Sequence, residues 1–249
     1  MKKFVLITLC LFVVAINVAQ KNNLSDKKLY NHTYDSEAVI DKKYGITIYE
    51  PLNMMLGTDT VRNDNDGYAA NGYEEDFYTT GQLMHKGFYV DGQLKIYKNY
   101  YPNGNVERNF RLVDLKKSKM TTYYEDGTMR SNIVYIGNEA QKWEDYYPNG
   151  TLEFIEEYNK SFEYYVFKAN YYENGTPENT MELTNKKKLL YTQIYYHENG
   201  NIKEQGEIRY SMEVFDYQRI GTWKQYDKNG SATKEVKYSS GNIVSEKNL

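Results

Sequence analysis

From residue 73 onward, short runs of alternating apolar and polar side chains are punctuated by glycines at a nearly fixed interval. Aligned on Gly81, Gly104, Gly127, Gly150, Gly175, Gly200 and Gly230, the spacings are 23, 23, 23, 25, 25 and 30 residues. Four positions before each glycine stands an aromatic: Phe77, Tyr100, Tyr123, Tyr146, Tyr171, Tyr196 and Tyr226. Two positions after stand Leu83, Val106, Met129, Leu152, Pro177, Ile202 and Ala232, none of them polar. One position before stand Thr80, Asn103, Asp126, Asn149, Asn174, Asn199 and Asn229, so six of seven are Asn or Asp. Three columns in register mark an internal repeat. Each Asn/Asp-Gly pair signals a hairpin turn. About ten residues later a weaker turn signal follows, at Asp91-Gly92, Gly137-Asn138, Asn159-Lys160, Asn185-Lys186 and Ser240-Gly241. Two turns per unit leave two strands of roughly seven or eight residues. The extra residues of the later units are predicted to lengthen the second turn, around 184–188 and 211–217.

The turn type decides which side chains share a face. In two units the residue two before the glycine is proline, Pro102 or Pro148, which has no N–H to give. A type I turn with Pro first, Asn second and Gly left-handed fits better than a two-residue turn. The flanking pairs then shift by one, and each aromatic faces the apolar column across the turn: Tyr100 with Val106, Tyr123 with Met129, Tyr146 with Leu152, Tyr196 with Ile202. Such cross-strand pairs stabilise a sheet, so this face is predicted to be the structural one. The opposite face carries the positions three and seven before each glycine. It holds Tyr97 and Tyr101, Met120 and Tyr124, Trp143 and Tyr147, and then Tyr172 and Trp223, with Asn99, Thr122 and Asp145 between them. Because these aromatics vary from unit to unit, Tyr97, Tyr101, Tyr124, Trp143, Tyr147 and Tyr172 are predicted to form an exposed binding face.

The predicted fold is therefore all-β: an elongated antiparallel β-hairpin repeat array, one twisted sheet of about 14 strands, over residues 73–249. Residues 21–72 lack the repeat and are predicted to be an N-terminal leader and cap. Within them Leu24–Asp41 reads as a loose polar leader and Tyr44–Tyr49 as one strand. Residues 1–20 read as a signal peptide: Lys2 and Lys3 precede an apolar run, Phe4–Ile16, closed by Asn17-Val18-Ala19-Gln20. The run is shorter than the roughly 20 residues that span a bilayer.

The run Tyr-Tyr-Pro-Asn-Gly-Asn-Val-Glu from Tyr100, with Tyr-Tyr-Glu-Asn-Gly-Thr from Tyr171 and Gly221-Thr222-Trp223 before Asn229-Gly230, resembles the bacterial MORN repeat variant. Arrays of it are often grouped as YwqK-type antitoxins. The resemblance spans about residues 73–238 and implies a hairpin array with a protein-binding role, such as neutralising a partner toxin.

Composition narrows the chemistry. Tyrosine contributes 28 of 249 residues, which suits a half-buried pleated surface. The only cysteine, Cys10, lies in the apolar leader; the rest of the chain has no thiol nucleophile and no cysteine-ligated metal. Past residue 20 there are 29 basic and 34 acidic residues, a net of −5, interspersed, with no basic stripe for nucleic acid. His32, His85 and His197 have no second ligand at metal spacing; His197 reads as a surface variant in the slot of Tyr101 and Tyr147. Asp64 and Asp66 lack the flanking acids of an EF-hand loop. Acidic neighbours such as Glu156 and Glu157 point to opposite strand faces and do not converge as a general acid and base. An open array is also expected to lack a deep pocket. The sequence thus predicts no catalytic residues, no metal and no cofactor. It predicts an exported, non-catalytic binding or scaffold protein of the periplasm, cell envelope or exterior, with a protein partner and an antitoxin- or immunity-like role as one form. The alternative is an envelope protein that contacts glycan or lipid.

Overall fold

A computed structural model describes residues 33–47, 62–64 and 66–249; the signal-peptide reading of residues 1–20 and the end of the predicted strand, Ile48 and Tyr49, fall outside it. Fourteen strands form seven consecutive hairpins, one per glycine repeat. They are β4 (Gly72–Tyr78) with β5 (Leu83–Val90), β6 (Gln93–Tyr100) with β7 (Val106–Leu112), β8 (Lys117–Tyr123) with β9 (Met129–Ile136), and β10 (Glu139–Tyr146) with β11 (Leu152–Tyr158). Then come β12 (Tyr165–Tyr171) with β13 (Pro177–Asn185), β14 (Leu190–Tyr196) with β15 (Ile202–Ser211), and β16 (Asp216–Tyr226) with β17 (Ala232–Ser239). They lie side by side in chain order in one 16-stranded sheet. Its two extra members are the edges: β18 (Asn242–Asn248), and the two-residue β1 (Thr33–Tyr34), which pairs parallel with β4.

The turn chemistry follows the sequence. In the second unit Gly104 donates its N–H to Tyr101 O and Tyr101 donates to Asn105 O, both at 2.8 Å. Each repeat glycine has φ between 83° and 91°, a region costly for a residue with a Cβ. All seven predicted aromatic–apolar pairs are cross-strand partners, from Phe77 with Leu83 to Tyr226 with Ala232, each beside a bulge. The second turns fall where expected, and the longer late units spend their extra residues at 186–189 and 212–215.

The face assignment is inverted relative to the expectation. Positions three, five and seven before each glycine point to the covered face. There Tyr89, Leu94, Tyr97, Phe110, Met120 and Ile133 form one buried cluster, and Met181, Tyr191, Ile208 and Trp223 another. The first is a row of cross-strand neighbours: Tyr97 faces Phe110, Phe110 faces Met120, Met120 faces Ile133, and Ile133 faces Trp143. The row continues through Glu156 and Lys168, a charged gap between the two clusters. The invariant aromatic–apolar column lies on the opposite face and is half-buried, with Met129 at 37% exposed.

The segment from Thr33 is not loose either. After β1 come α1 (Ser36–Val39), N-capped by the Asp35 side chain accepting from Glu37 N–H, and the small pair β2 (Ile40–Asp41) and β3 (Gly45–Ile46). Val39 and Ile46 pack on Tyr78 and Met84. Residues 33–47 therefore cap the covered face over the first units.

Candidate binding face and its cleft

Three features of the covered face are set by the repeat. The first is a ladder of hydroxyls. Tyr78, three before the first glycine, donates its OH to Tyr100 O at 2.8 Å. Tyr101 donates to Tyr123 O at 2.9 Å, Tyr124 to Tyr146 O at 2.7 Å, Tyr147 to Tyr171 O at 2.8 Å and Tyr172 to Tyr196 O at 3.2 Å. His197 takes the next rung, its Nε2 lying 3.1 Å from Tyr226 O. A carbonyl only accepts, so Nε2 carries the proton. The second feature lies at the turns, where Asn103, Asn149, Asn174 and Asn199 donate Nδ2–H to a carbonyl of the next turn, at 2.8–3.2 Å.

The third is a polar row, five before each glycine and on its partners. Asp76, His85, Asn99 and Arg108 are successive cross-strand neighbours, followed by Thr122, Ser131, Asp145 and Phe154. His85 is fully buried. Its Nδ1–H donates to Asn99 Oδ1 at 2.7 Å, and its Nε2 accepts from Tyr89 OH at 3.0 Å. Burial pushes its pKa down to about 4, partly opposed by the Asn99 bond; the ring is neutral at pH 7.

The cap is clamped to this row. Glu107 is completely buried and pairs with Arg108 at 3.4 Å and Arg130 at 3.7 Å. Burial raises its pKa, opposed by the two arginines, by Asn99 and by the Ile46 backbone N–H. Arg108 donates to Tyr44 O at 3.1 Å, and Arg130 donates to Lys43 O at 3.2 Å and Tyr44 O at 3.1 Å. Beside the cap's turn at Lys43 and Tyr44 the face opens into a cleft of about 550 Å³. Lys43 and Tyr44 form one wall; Ser131, Asp145 and Phe154 of the polar row lie beyond, with Trp143 beside them. Asp145 Oδ1 accepts from Ser131 Oγ at 2.6 Å and from Trp143 Nε1–H at 2.7 Å.

The six predicted binding residues thus separate. Tyr97 is 3% exposed and belongs to the core, which corrects its assignment to an exposed face. Tyr101, Tyr124, Tyr147 and Tyr172 have a structural role in addition, since their hydroxyls staple each unit to the next. A buried or half-buried phenol needs such a partner, and the carbonyl within its reach is the next unit's. Trp143 and Tyr124 do line the cleft. The cap adds a second wall to one stretch of the open face, which makes the cleft there. Sequence reasoning singled out neither Arg108, Arg130 nor Phe154; only the polar column five before the glycine, with Thr122 and Asp145, pointed to the row.

Four segments, residues 70–91, 93–109, 142–160 and 192–209, match the family model of the MORN repeat variant. No curated protein matches the chain. Among solved structures, similarity extends to TarM and to a mutant of S. aureus TarM in complex with Fondaparinux, alpha-GlcNAc-glycerol and UDP, at 11% and 10% identity and a TM-score of 0.22. The similar region covers 50% of this chain and 19% of those, and at that score it carries no argument about activity.

Proposed function

We propose that this array of MORN-variant repeats is a non-catalytic binding protein, and that its covered face, at the cleft beside Lys43 and Tyr44, receives a segment of a partner protein. One observation carries the reading. The same face, over the first units, already holds a polypeptide: residues 33–47 of the chain itself, gripped through backbone carbonyls by Arg108 and Arg130. The cleft lies beside that internal occupant, whose Lys43 and Tyr44 form part of its wall. Contacts to backbone carbonyls do not depend on the partner's side chains, whereas the cleft side chains select among segments.

Further support comes from how the ionisable groups are spent. Asp76 is paired with Arg62, Glu204 with Arg219, and Glu107 with two arginines. These are structural pairings rather than a converging acid and base. Export rests on the sequence of residues 1–20, and an immunity-like role on the resemblance of the repeats to YwqK-type antitoxins. The test is site-specific photo-crosslinking in cells that produce the protein. A crosslinker at Phe154, in the cleft, is expected to trap a discrete protein, and one at Tyr100, on the opposite face, is not. Equal trapping from both positions, or none from Phe154, would overturn the assignment.

A further inference from the structure

Acid–aromatic pairs recur along the covered face, and three of them hold a cation from this chain. Asp76 binds both terminal nitrogens of Arg62 at 2.7 Å, with the guanidinium 5.2 Å from the centre of the Tyr89 ring. Glu156 pairs with Lys168 at 3.6 Å, the ammonium lying 5.4 Å from the Phe154 ring and 5.2 Å from Tyr165. Glu204 takes Arg219 in a two-pronged bond at 2.8 and 2.9 Å, and the guanidinium lies 3.9 Å from the Trp223 ring. The fourth pair is Asp145 beside Trp143. Among the described residues it holds no cation.

Its geometry suits one. Both hydrogen bonds to Asp145 arrive at Oδ1, from Ser131 and from the Trp143 indole. Among the described residues Oδ2 accepts none, and the pair opens into the 550 Å³ cleft. Phe154 and Tyr124 supply further ring surface there. Of the charged groups lining the cleft, Arg108 and Arg130 are turned to Glu107 and to the cap carbonyls. That leaves Asp145 and Glu153 against Lys43, whose ammonium sits 5.1 Å from the Tyr44 ring. A planar guanidinium can bond a carboxylate and stack on an indole at once, and a cation over a ring is favoured more as water is excluded.

We propose that the Asp145–Trp143 cleft receives an arginine side chain of the partner polypeptide, in the manner of Arg219 over Trp223. This rests on the reading of the covered face as the binding face and names the anchor it selects. The test uses the purified chain and two small probes of similar shape, n-butylguanidinium and neutral n-butylurea. The chain has only two tryptophans, Trp143 and Trp223, so its indole N–H region in a proton–nitrogen correlation spectrum holds two signals, assigned with Trp143→Phe. Titration with n-butylguanidinium is expected to shift the Trp143 signal saturably and leave Trp223 in place. The response is expected to be about tenfold weaker with n-butylurea, and about tenfold weaker in Asp145→Asn. Equal responses to the two probes, equal movement of Trp223, or undiminished binding in Asp145→Asn would each overturn the proposal. The comparison of charged with neutral probe on the unaltered chain decides the question even if the variant fails to fold. Failure here with intact crosslinking from Phe154 removes the arginine anchor alone; failure of both removes the face.

Discussion

At Gly206 the chain has no room for a side chain, because a Cβ would enter the indole ring of Trp223 on the adjacent strand. Gly206→Ala is therefore expected to cost about 1–3 kcal/mol through overpacking, read as a lower urea midpoint. His85 makes the protein sensitive to acid. Its folded pKa of about 4 lies below the ordinary 6.5, so between these values the unfolded chain binds more protons. The stability His85 contributes is complete above pH 6.5 and is lost as pH falls toward 4, on the order of 3 kcal/mol in all. Glu107 works with the opposite sign, since its carboxyl is raised by burial and its contribution is lost as pH rises. Melting curves from about pH 7 to pH 4 should thus fall more steeply for the unaltered chain than for His85→Gln. Parallel curves would dismiss the His85 contribution.

The repeating element is a hairpin, joined to the next by the strand ladder and, at most turns, by one tyrosine hydroxyl and one asparagine amide. Tyr124→Phe removes a rung and leaves the Tyr146 carbonyl without its 2.7 Å donor, a loss of about 1 kcal/mol measurable by denaturation. The amide ladder has a natural gap. Asp126 accepts from Thr128 N–H at 2.8 Å as its counterparts do, but a carboxylate has no N–H to send to the next turn. Asp126→Asn should supply that donor to the Pro148 carbonyl and raise the melting temperature by about 2–4 °C. Much of this element was legible beforehand. Pro102 and Pro148 excluded the two-residue turn, and that placed every aromatic opposite its apolar partner. The rungs were not legible. Nothing local to Tyr101 says that its hydroxyl reaches a carbonyl 22 residues away, and the same residue type serves equally on an open surface.

On the scale of the molecule, packing is between neighbouring strands, so stability is expected to be nearly one-dimensional. Arg130→Ala removes bonds to Lys43 O and Tyr44 O that hold the cap. Hydrogen exchange should accelerate at residues 45–47 and stay unchanged in β14–β16. Acceleration across the whole sheet would mean that the array folds as one cooperative unit. The cap also creates the cleft, which depends on residues 43–44 meeting a row drawn from six strands, β7 to β12.

The chain's own sequence determined the repeat, the hairpins, the turn type and the strand register, because each rests on residues a few positions apart. Only the tertiary structure decided which face is buried. Strand alternation separates two faces but does not rank them when both carry tyrosine, a residue with an apolar ring and a polar end. The ranking came from contacts distant in sequence: the cap lying on one face, hydroxyls reaching the next unit, and cations of this chain filling three acid–aromatic pairs while the Asp145 pair opens to the cleft.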